Sequence, residues 1–199
     1  MKNIKILERQ IKESIDCKKK LLGSSKEIQK AIELIYNCFR KGGKVLICGN
    51  GGSAGDAQHL AAEFLIRLRP NVNRKPMPAV SLALDSSTMT ACSNDYNFNK
   101  IFSRPFEALA NKNDVLITIT TSGNSKNIIE VLKSAKKRKI KSIGFLGKSG
   151  GNAKRYCSTK ILIQSKTTAR IQEAHIFLGH FIVEQVENKL FKVKENLIR

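Results

Sequence analysis

Short apolar runs alternate along this chain with segments whose apolar residues recur every three or four positions. The runs are rich in β-branched residues, which is typical of buried strands. They lie at 44–48, 79–84, 114–120, 141–146 and 159–163. Helical periodicity lies between and after them, at 53–65, 102–109, 127–137 and 169–191. This alternation predicts an α/β fold: a three-layer sandwich with a central five-stranded parallel sheet, flavodoxin-like in type.

Two amphipathic helical patterns precede the first strand and are separated by Gly23-Ser24-Ser25, with Ser25 as the candidate N-cap of the second. Their apolar positions are Ile4, Leu7, Ile11 and Ile15, then Ile28, Ile32, Ile35 and Phe39. A helical pair without a core of its own must pack on the sheet or on another subunit. We therefore expect a helical pair at 1–40, a single globular unit at 41–199, and an oligomer.

Charge is the one unusual property of the composition. The 199 residues include 36 Lys and Arg against 16 Asp and Glu, a formal net charge of +20. The basic residues are spread along the chain, without a basic arm or a nucleic-acid-binding motif, so a solvated surface that attracts anionic metabolites is favoured over a nucleic-acid partner. No apolar run reaches membrane-spanning length and no signal peptide is found, which predicts a cytoplasmic protein without a membrane partner.

The strand at 114–120 ends abruptly in hydroxyl groups and a glycine: Thr120, Thr121, Ser122, Gly123, Asn124 and Ser125. A helical pattern begins directly afterwards. Main-chain N–H groups and hydroxyl donors are thereby gathered at a helix N-terminus, where the peptide dipoles favour an anion. The pattern predicts a binding site for the phosphate of a small molecule.

The turn after the first strand is also rich in glycine and polar residues, with Asn50, Gly51, Gly52 and Ser53 in sequence. Glycines at this junction allow the main chain to approach a ligand. The spacing does not match the dinucleotide-binding motif Gly-x-Gly-x-x-Gly. Two such loops at the carboxyl ends of parallel strands predict a shared ligand crevice.

Histidines and carboxylates recur at helical spacing. His59 and Glu63 share one face of the helix at 53–65, and Gln172 and His180 lie broadly on one face of the last helix. Two imidazoles, a carboxylate and an amide oxygen are a plausible set of ligands for a divalent metal. His175 is an equally visible candidate from its spacing.

Five motifs occur in one order along the chain. They are Gly49-Asn50-Gly51-Gly52-Ser53, Asp56-Ala57-Gln58-His59 with Glu63, Ser93-Asn94-Asp95-Tyr96, Thr121-Ser122-Gly123-Asn124-Ser125, and Ala169-Arg170-Ile171-Gln172-Glu173-Ala174-His175. Together they closely resemble the phosphoheptose isomerases, or sedoheptulose 7-phosphate isomerases, of the sugar isomerase (SIS) domain superfamily. The similarity covers nearly the whole chain. The hydroxyl loop indicates only the superfamily. The His59/Glu63 and Gln172/His180 pairs, with the Asn94-Asp95 element, point to the isomerases.

The resemblance implies a SIS-type fold, a homotetramer with active sites between subunits, and one divalent ion per subunit, usually Zn²⁺. It implies His59, Glu63, Gln172 and His180 as metal ligands. The substrate contacts it implies are Asn50, Gly51, Gly52, Ser53, Asn94, Asp95, Thr120, Thr121, Ser122, Ser125 and Gln172. Thr120 stands where the family often has serine and keeps the hydroxyl group. Asn97 stands where many members have glycine.

The implied reaction converts sedoheptulose 7-phosphate to D-glycero-D-manno-heptose 7-phosphate through an enediol, the first step toward nucleotide-activated heptose for lipopolysaccharide or capsule. Glu63 is the expected base and His180 the expected acid, or the two share these roles. Two alternatives stay open at this point. One is a non-catalytic SIS protein, either a sugar-phosphate sensor or a tetramer that binds the replication initiator, and the other is an isomerase of a shorter sugar phosphate.

Several further residues have a simpler interpretation. Arg67, Arg69 and Lys148 are charged residues near the expected crevice, and surface solvation is the favoured role for each. The five cysteines are scattered without a Cys-x-x-Cys pair, which predicts reduced and mostly buried thiols. Cys48 and Cys92 lie near the ligand loops, but nothing marks either as a nucleophile.

Overall fold

The sheet confirms the predicted architecture. A computed structural model of the chain describes residues 2–83 and 85–193. It has one sheet of five parallel strands in the order β2-β1-β3-β4-β5. The strands are β1 (Val45–Gly49), β2 (Ala79–Ser81), β3 (Val115–Thr120), β4 (Lys141–Gly147) and β5 (Thr159–Ile163). This order places the topological switch point between β1 and β3, and ligands of open α/β sheets bind outside the carboxyl ends of such strands.

Helices cover both faces of the sheet, which gives the three layers. They are α1 (Lys2–Lys19), α2 (Ser25–Arg40), α3 (Gly52–Leu65), α4 (Ser86–Asp95), α5 (Ser103–Leu109), α6 (Lys126–Lys137) and α7 (Thr168–Phe191). Helices α1, α2, α3 and α7 share one apolar core with one face of the sheet, and α4, α5 and α6 share a second core with the other.

The central strands are buried on both faces because helices cover both sides. Val45 pairs with Val115, and the register continues to Gly49 and Ile119 at the carboxyl ends. Ile47 contributes to the first core and the adjacent Leu46 to the second, as the period-two alternation of a strand requires. The loops that follow β1 and β3 therefore emerge side by side.

Two elements differ from the sequence prediction. Strand β2 ends at Ser81 rather than at 84, and Leu84 itself lies outside the described residues. Helix α4 was not predicted because it is mostly polar and lacks an apolar stripe. Its beginning is instead determined by a cap, in which the Asp85 carboxylate accepts a hydrogen bond from the Thr88 N–H at 2.9 Å.

The N-terminal region forms two helices joined by a 3₁₀ turn at Lys20–Ser24. Ser25 is the first residue of α2 rather than its cap, and Ser24 precedes it without a side-chain cap bond. Helix α2 packs into the first core, whereas the apolar stripe of α1 lies exposed. The exposed residues are Ile4, Leu7, Ile11 and Ile15. The division of the chain at residue 40 stays a prediction.

Among the described residues, no helix is long and apolar enough to cross a membrane.

Candidate active site

Two loops meet at the switch point, and glycines allow both of them to turn. Gly51, which precedes α3, has a φ of +56°. Gly123, in the loop between β3 and α6, has a φ of +66°, and a Cβ placed on it would lie 2.2 Å from the carbonyl oxygen of Gly150. Only glycine fits this second position, because the loop after β3 touches the main chain of the loop after β4.

The hydroxyl loop after β3 is held by its own side chains. The Thr120 hydroxyl is buried and accepts a hydrogen bond from the Gly123 N–H at 3.2 Å, while Thr121 and Ser122 are half-buried. Ser125 directly precedes α6, yet its side chain makes no cap hydrogen bond. The loop directly precedes α6, and its role in binding an anion stays a prediction.

A pair of amides joins the two loops. The Asn50 Nδ2 donates to Asn127 Oδ1 at 2.9 Å, and the Asn127 Nδ2 donates to Asn50 Oδ1 at 2.8 Å. Asn127 lies in the first turn of α6 and is buried. Ser53 is buried in the first turn of α3, while Gly51 and Gly52 are exposed. The amide pair therefore ties the loop after β1 to the start of α6.

His59, Glu63 and His180 converge between α3 and α7. The Nε2 atoms of the two histidines lie 2.8 Å apart, and the Nε2 of His59 is 3.4 Å from a carboxylate oxygen of Glu63. The His59 side chain is 47% exposed and that of Glu63 only 16%. The imidazole rings meet edge to face with centroids 5.0 Å apart. We call these three residues the histidine cluster.

Gly179 brings the two helices close enough for the histidine cluster to form. A Cβ placed on Gly179 would lie 2.6 Å from both methyl groups of Leu60. Leu60 and Gly179 are the neighbours in sequence of His59 and His180, so this close packing sets the separation of the two imidazoles. A larger residue at 179 would force the helices apart.

The surroundings of His180 favour its neutral form. Partial burial lowers the pKa of His180 and the adjacent His59 lowers it further, while the Glu63 carboxylate opposes both effects. An imidazole that is neutral at pH 7 exchanges protons readily with a substrate hydroxyl group. Asp56 lies on α3, about one turn before His59. Burial raises its pKa, and one of its carboxylate oxygens is buried without a hydrogen-bond partner.

The donor set of the histidine cluster suits a divalent metal. One ligand atom from each of the three residues lies within 4.8 Å of the others, so small side-chain movements suffice to bring all three to about 2 Å from a common ion. Two imidazole nitrogens and a carboxylate oxygen are the ligands of many catalytic zinc sites. Gln172 lies elsewhere: its Nε2 approaches Gly52 at the start of α3. Eight residues separate it from His180, about 12 Å along α7.

The other predicted candidates lie outside the histidine cluster. His175 is fully buried in the first core, beside Phe145, and neither ring nitrogen has a hydrogen-bond partner. Burial lowers the pKa of His175 to about 4. Asn94 and Asp95 lie exposed at the end of α4, where the Asn94 amide donates to the Asp95 carboxylate at 2.9 Å.

The prediction of a solvated surface role is wrong for Arg69. Its guanidinium donates to Glu184 at 3.2 Å and to Glu187 at 2.8 Å, and its side chain is only 12% exposed. The partners lie far along the chain, on α7, so the local sequence gave no sign of them. Arg67 and Lys148 are exposed.

The cysteine prediction agrees with the structure. All five thiols are free, and four of them are buried. Burial raises the pKa of Cys48 well above its usual range, so this residue is no nucleophile.

Sequence reasoning missed three residues that shape the site: Asn127, Arg74 and Glu187. Arg74 and Glu187 are joined by a fully buried ion pair, with Nε and Oε2 2.6 Å apart. Glu187 did offer a signal, because it is a carboxylate next to Val186 on the apolar stripe of α7. Such a residue is almost never fully buried without a partner.

The fold and the hydroxyl loop define the class of protein. A family profile described as the SIS domain matches residues 10–147. A phosphoheptose isomerase from Clostridium acetobutylicum is 46% identical over 197 residues, which is 98% of both chains. The solved phosphoheptose isomerase from Neisseria gonorrhoeae superposes with a TM-score of 0.85 at 36% identity, covering 92% of this chain and 98% of its own. The corresponding enzyme structure from Francisella tularensis gives 0.88 at 32%, covering 94% and 100%.

These relatives confirm the resemblance predicted from the five motifs. The chain belongs to the phosphoheptose isomerase family of SIS domain proteins.

Proposed function

We propose that this protein isomerises sedoheptulose 7-phosphate to D-glycero-D-manno-heptose 7-phosphate. The main observation behind this proposal is that the hydroxyl loop, suited to a phosphate, and the histidine cluster, suited to proton transfer, occur in one fold but at separate places. Asn50 and Asn127 join the loop before α3 to the start of α6, and His59 lies seven residues after Gly52, about 10 Å further along α3. That separation suits a long substrate with its phosphate at one end and its reacting carbon at the other. A relative that is 46% identical to this chain over 98% of both sequences bears the name phosphoheptose isomerase.

In the proposed reaction, the Glu63 carboxylate removes a proton from C1 of the ketose and returns one to C2. His180, neutral before the reaction, moves a proton between the two oxygens of the enediol. The hydroxyl loop holds the phosphate and thereby fixes the position of the reacting carbons. Asn94, Asp95 and Gln172 are proposed to contact the substrate hydroxyl groups between these ends.

We propose that the histidine cluster holds one Zn²⁺ ion per subunit. The family resemblance implies Gln172 as a fourth ligand, which requires its amide to turn from Gly52 toward the cluster. When bound, such an ion polarises a carbonyl oxygen and stabilises negative charge that develops beside it. Within this chain, His59 then acts as a ligand, while Glu63 and His180 also carry the proton-transfer roles. The two imidazole nitrogens already face each other, which supports a shared ion.

We also propose a cytoplasmic homotetramer with active sites at subunit interfaces. An open groove of about 870 Å³ runs beside α1 and is lined by apolar residues such as Leu22, Ile28 and Phe177. Phe181 in the same groove follows His180 directly and is exposed. A second copy of the chain that covers this surface would also enclose the histidine cluster. The product would enter heptose synthesis for lipopolysaccharide or capsule.

The test is to incubate the protein with sedoheptulose 7-phosphate in heavy water and follow the C1 and C2 protons by NMR. Wild type and Glu63→Gln are compared before and after chelation, with Glu130→Gln as the control for loss of a surface carboxylate. We expect new aldose signals from wild type and the control, and a loss of about 10²-fold or more in Glu63→Gln. If wild type binds the sugar phosphate but takes up no deuterium, the enzyme hypothesis is wrong, and a sugar-phosphate sensor is the better interpretation.

A further inference from the structure

A buried ion network lies below the histidine cluster and connects the ends of α3 and α7. The side chains of Arg74 and Glu187 are both 0% exposed. The Arg74 Nε lies 2.6 Å from Oε2 of Glu187, and the Arg69 guanidinium nitrogens lie 2.6 and 2.8 Å from Oε1. Burying three charges is costly unless each is paired and hydrogen-bonded, and here the geometry satisfies both oxygens.

The remaining nitrogens of Arg74 contact the end of helix α3. Its Nη2 donates to the carbonyl oxygen of Glu63 at 2.7 Å, and its Nη1 donates to that of Phe64 at 2.9 Å. These are among the last carbonyls of α3, which have no partner within the helix. A guanidinium at a helix C-terminus also complements the helix dipole. Arg74 therefore caps α3 at the very residue that carries the proposed base.

The other end of the network lies on the helix that carries the proposed acid. Glu187 follows His180 by seven residues, which is two turns along nearly the same stripe of α7, or about 10 Å. One planar guanidinium thus connects the main chain of Glu63 to α7. Its fork of fixed donors restricts sliding and rotation between the two helices more than a single charge would.

We propose that Arg74 is a positioning residue: by binding the carbonyl of Glu63 and the carboxylate of Glu187 together, it holds Glu63 and His180 in register for proton transfer and metal binding. This inference rests on the proposed function of the histidine cluster. Arg69 belongs to the same network, but its guanidinium bonds go to Glu184, Glu187 and Asn188, all on α7. It is therefore the matched control.

A buried ion pair can often be replaced by apolar residues without loss of stability, whereas removal of one partner is strongly destabilising. This permits a test that separates stability from positioning. The variants are Arg74→Lys, the double variant Arg74→Met with Glu187→Met, and the control Arg69→Gln. The double variant removes both buried charges and leaves Arg69 paired with Glu184.

Five quantities are measured for each variant: stability in urea, kcat and KM for sedoheptulose 7-phosphate, Zn²⁺ affinity by chelator competition, and hydrogen exchange of the segment at 59–66. In Arg74→Lys and in the double variant we expect kcat and Zn²⁺ affinity to fall about 10- to 100-fold. KM should change less than about threefold, because the phosphate loop is distant. Exchange at 59–66 should accelerate. Arg69→Gln should move kcat and Zn²⁺ affinity far less.

Recovery of wild-type kcat and Zn²⁺ affinity in the double variant would overturn the proposal, because the pair would then only stabilise the fold. Equal losses in Arg74→Lys and Arg69→Gln would overturn it as well. If wild type does not turn over the substrate, the proposed function fails. Zn²⁺ affinity and hydrogen exchange still decide in that case whether Arg74 positions the histidine cluster.

Discussion

The hydroxyl loop and the histidine cluster are built in different ways. The loop is held by a hydrogen bond between Thr120 and Gly123, three residues apart, and it touches the main chain of the next loop at Gly150. The cluster joins His59 and His180, which are 121 residues apart, across the surface of two helices. The hydroxyl loop depends mainly on contacts close to it in the chain, whereas the histidine cluster depends on how α3 packs on α7.

The two regions suit different proposed roles, phosphate binding for the loop and proton transfer for the cluster. A phosphate site requires main-chain donors at fixed positions, which a tight loop between a strand and a helix supplies by itself. Proton transfer and metal binding require side chains from separate elements, held within small tolerances. We therefore expect substitutions in the loop to alter substrate affinity, and substitutions between α3 and α7 to alter turnover and metal affinity.

The largest effect is expected from Gly123→Ala in the hydroxyl loop. The new Cβ would collide with the Gly150 carbonyl and would force alanine into a left-handed conformation, so the free energy of unfolding should fall by about 4 kcal/mol. Inorganic phosphate affinity should fall with it. Urea unfolding and calorimetric titration measure both. Gly55→Ala, where a Cβ meets nothing within 4 Å, is the control and should be neutral or stabilising.

His175 is expected to make stability depend on pH on the inner side of α7. Its folded pKa of about 4 lies below the unfolded value of 6.5, so the unfolded chain binds the proton first as pH falls. Its contribution is therefore complete above pH 6.5 and is lost between 6.5 and 4, about 2 kcal/mol of it by pH 5. Urea unfolding at pH 7.5 and 5 should show a smaller difference in His175→Met. An unchanged difference would contradict this prediction.

Gly179→Ala should separate the two helices at the histidine cluster. The added methyl group meets the buried Leu60 side chain, so we expect a loss of about 1.5 kcal/mol. Zn²⁺ affinity should fall as well, while phosphate affinity should not. Adding Leu60→Val makes space and should restore part of both losses. A fall in phosphate affinity instead would show that the two regions are not independent.

The smallest effect on stability is expected from Ser125→Ala. This hydroxyl makes no cap bond, so stability should be unchanged within about 0.5 kcal/mol. Loss of one hydrogen bond to a charged phosphate should raise KM about 10-fold with kcat retained. Asp85→Ala is the matched control, because Asp85 does form a cap bond. It should lower Tm and leave KM unchanged.

Much of the fold and half of the site could be predicted from local pattern. Strands β1, β3, β4 and β5 were predicted to within a residue or two, because apolar β-branched runs between turn residues have few alternatives. The hydroxyl loop was predicted for the same reason. Helix α4 was missed because its start depends on a single cap, and a mostly polar segment carries no periodic signal.

The long-range contacts escaped prediction for a different reason. Helical spacing identified His175 and His180 as equal candidates, and only packing decided that His175 faces the core and His180 the surface. Arg69 and Arg74 lie in a segment rich in proline and asparagine, which resembles an ordinary surface loop. Their partner Glu187 is 113 residues beyond Arg74, and local sequence carries no information about such a pairing.

By itself, the sequence determined the alternation of strands and helices, the parallel sheet, and a glycine-containing loop of hydroxyl groups after β3, because each depends on neighbours along the chain. Only the tertiary structure decided which histidine joins Glu63, how closely α3 approaches α7 at Gly179, and that Arg74 caps α3 while bound to Glu187. These depend on the separation of two packed helices. That separation is set by the volumes and charges buried between them, which the sequence contains but does not place.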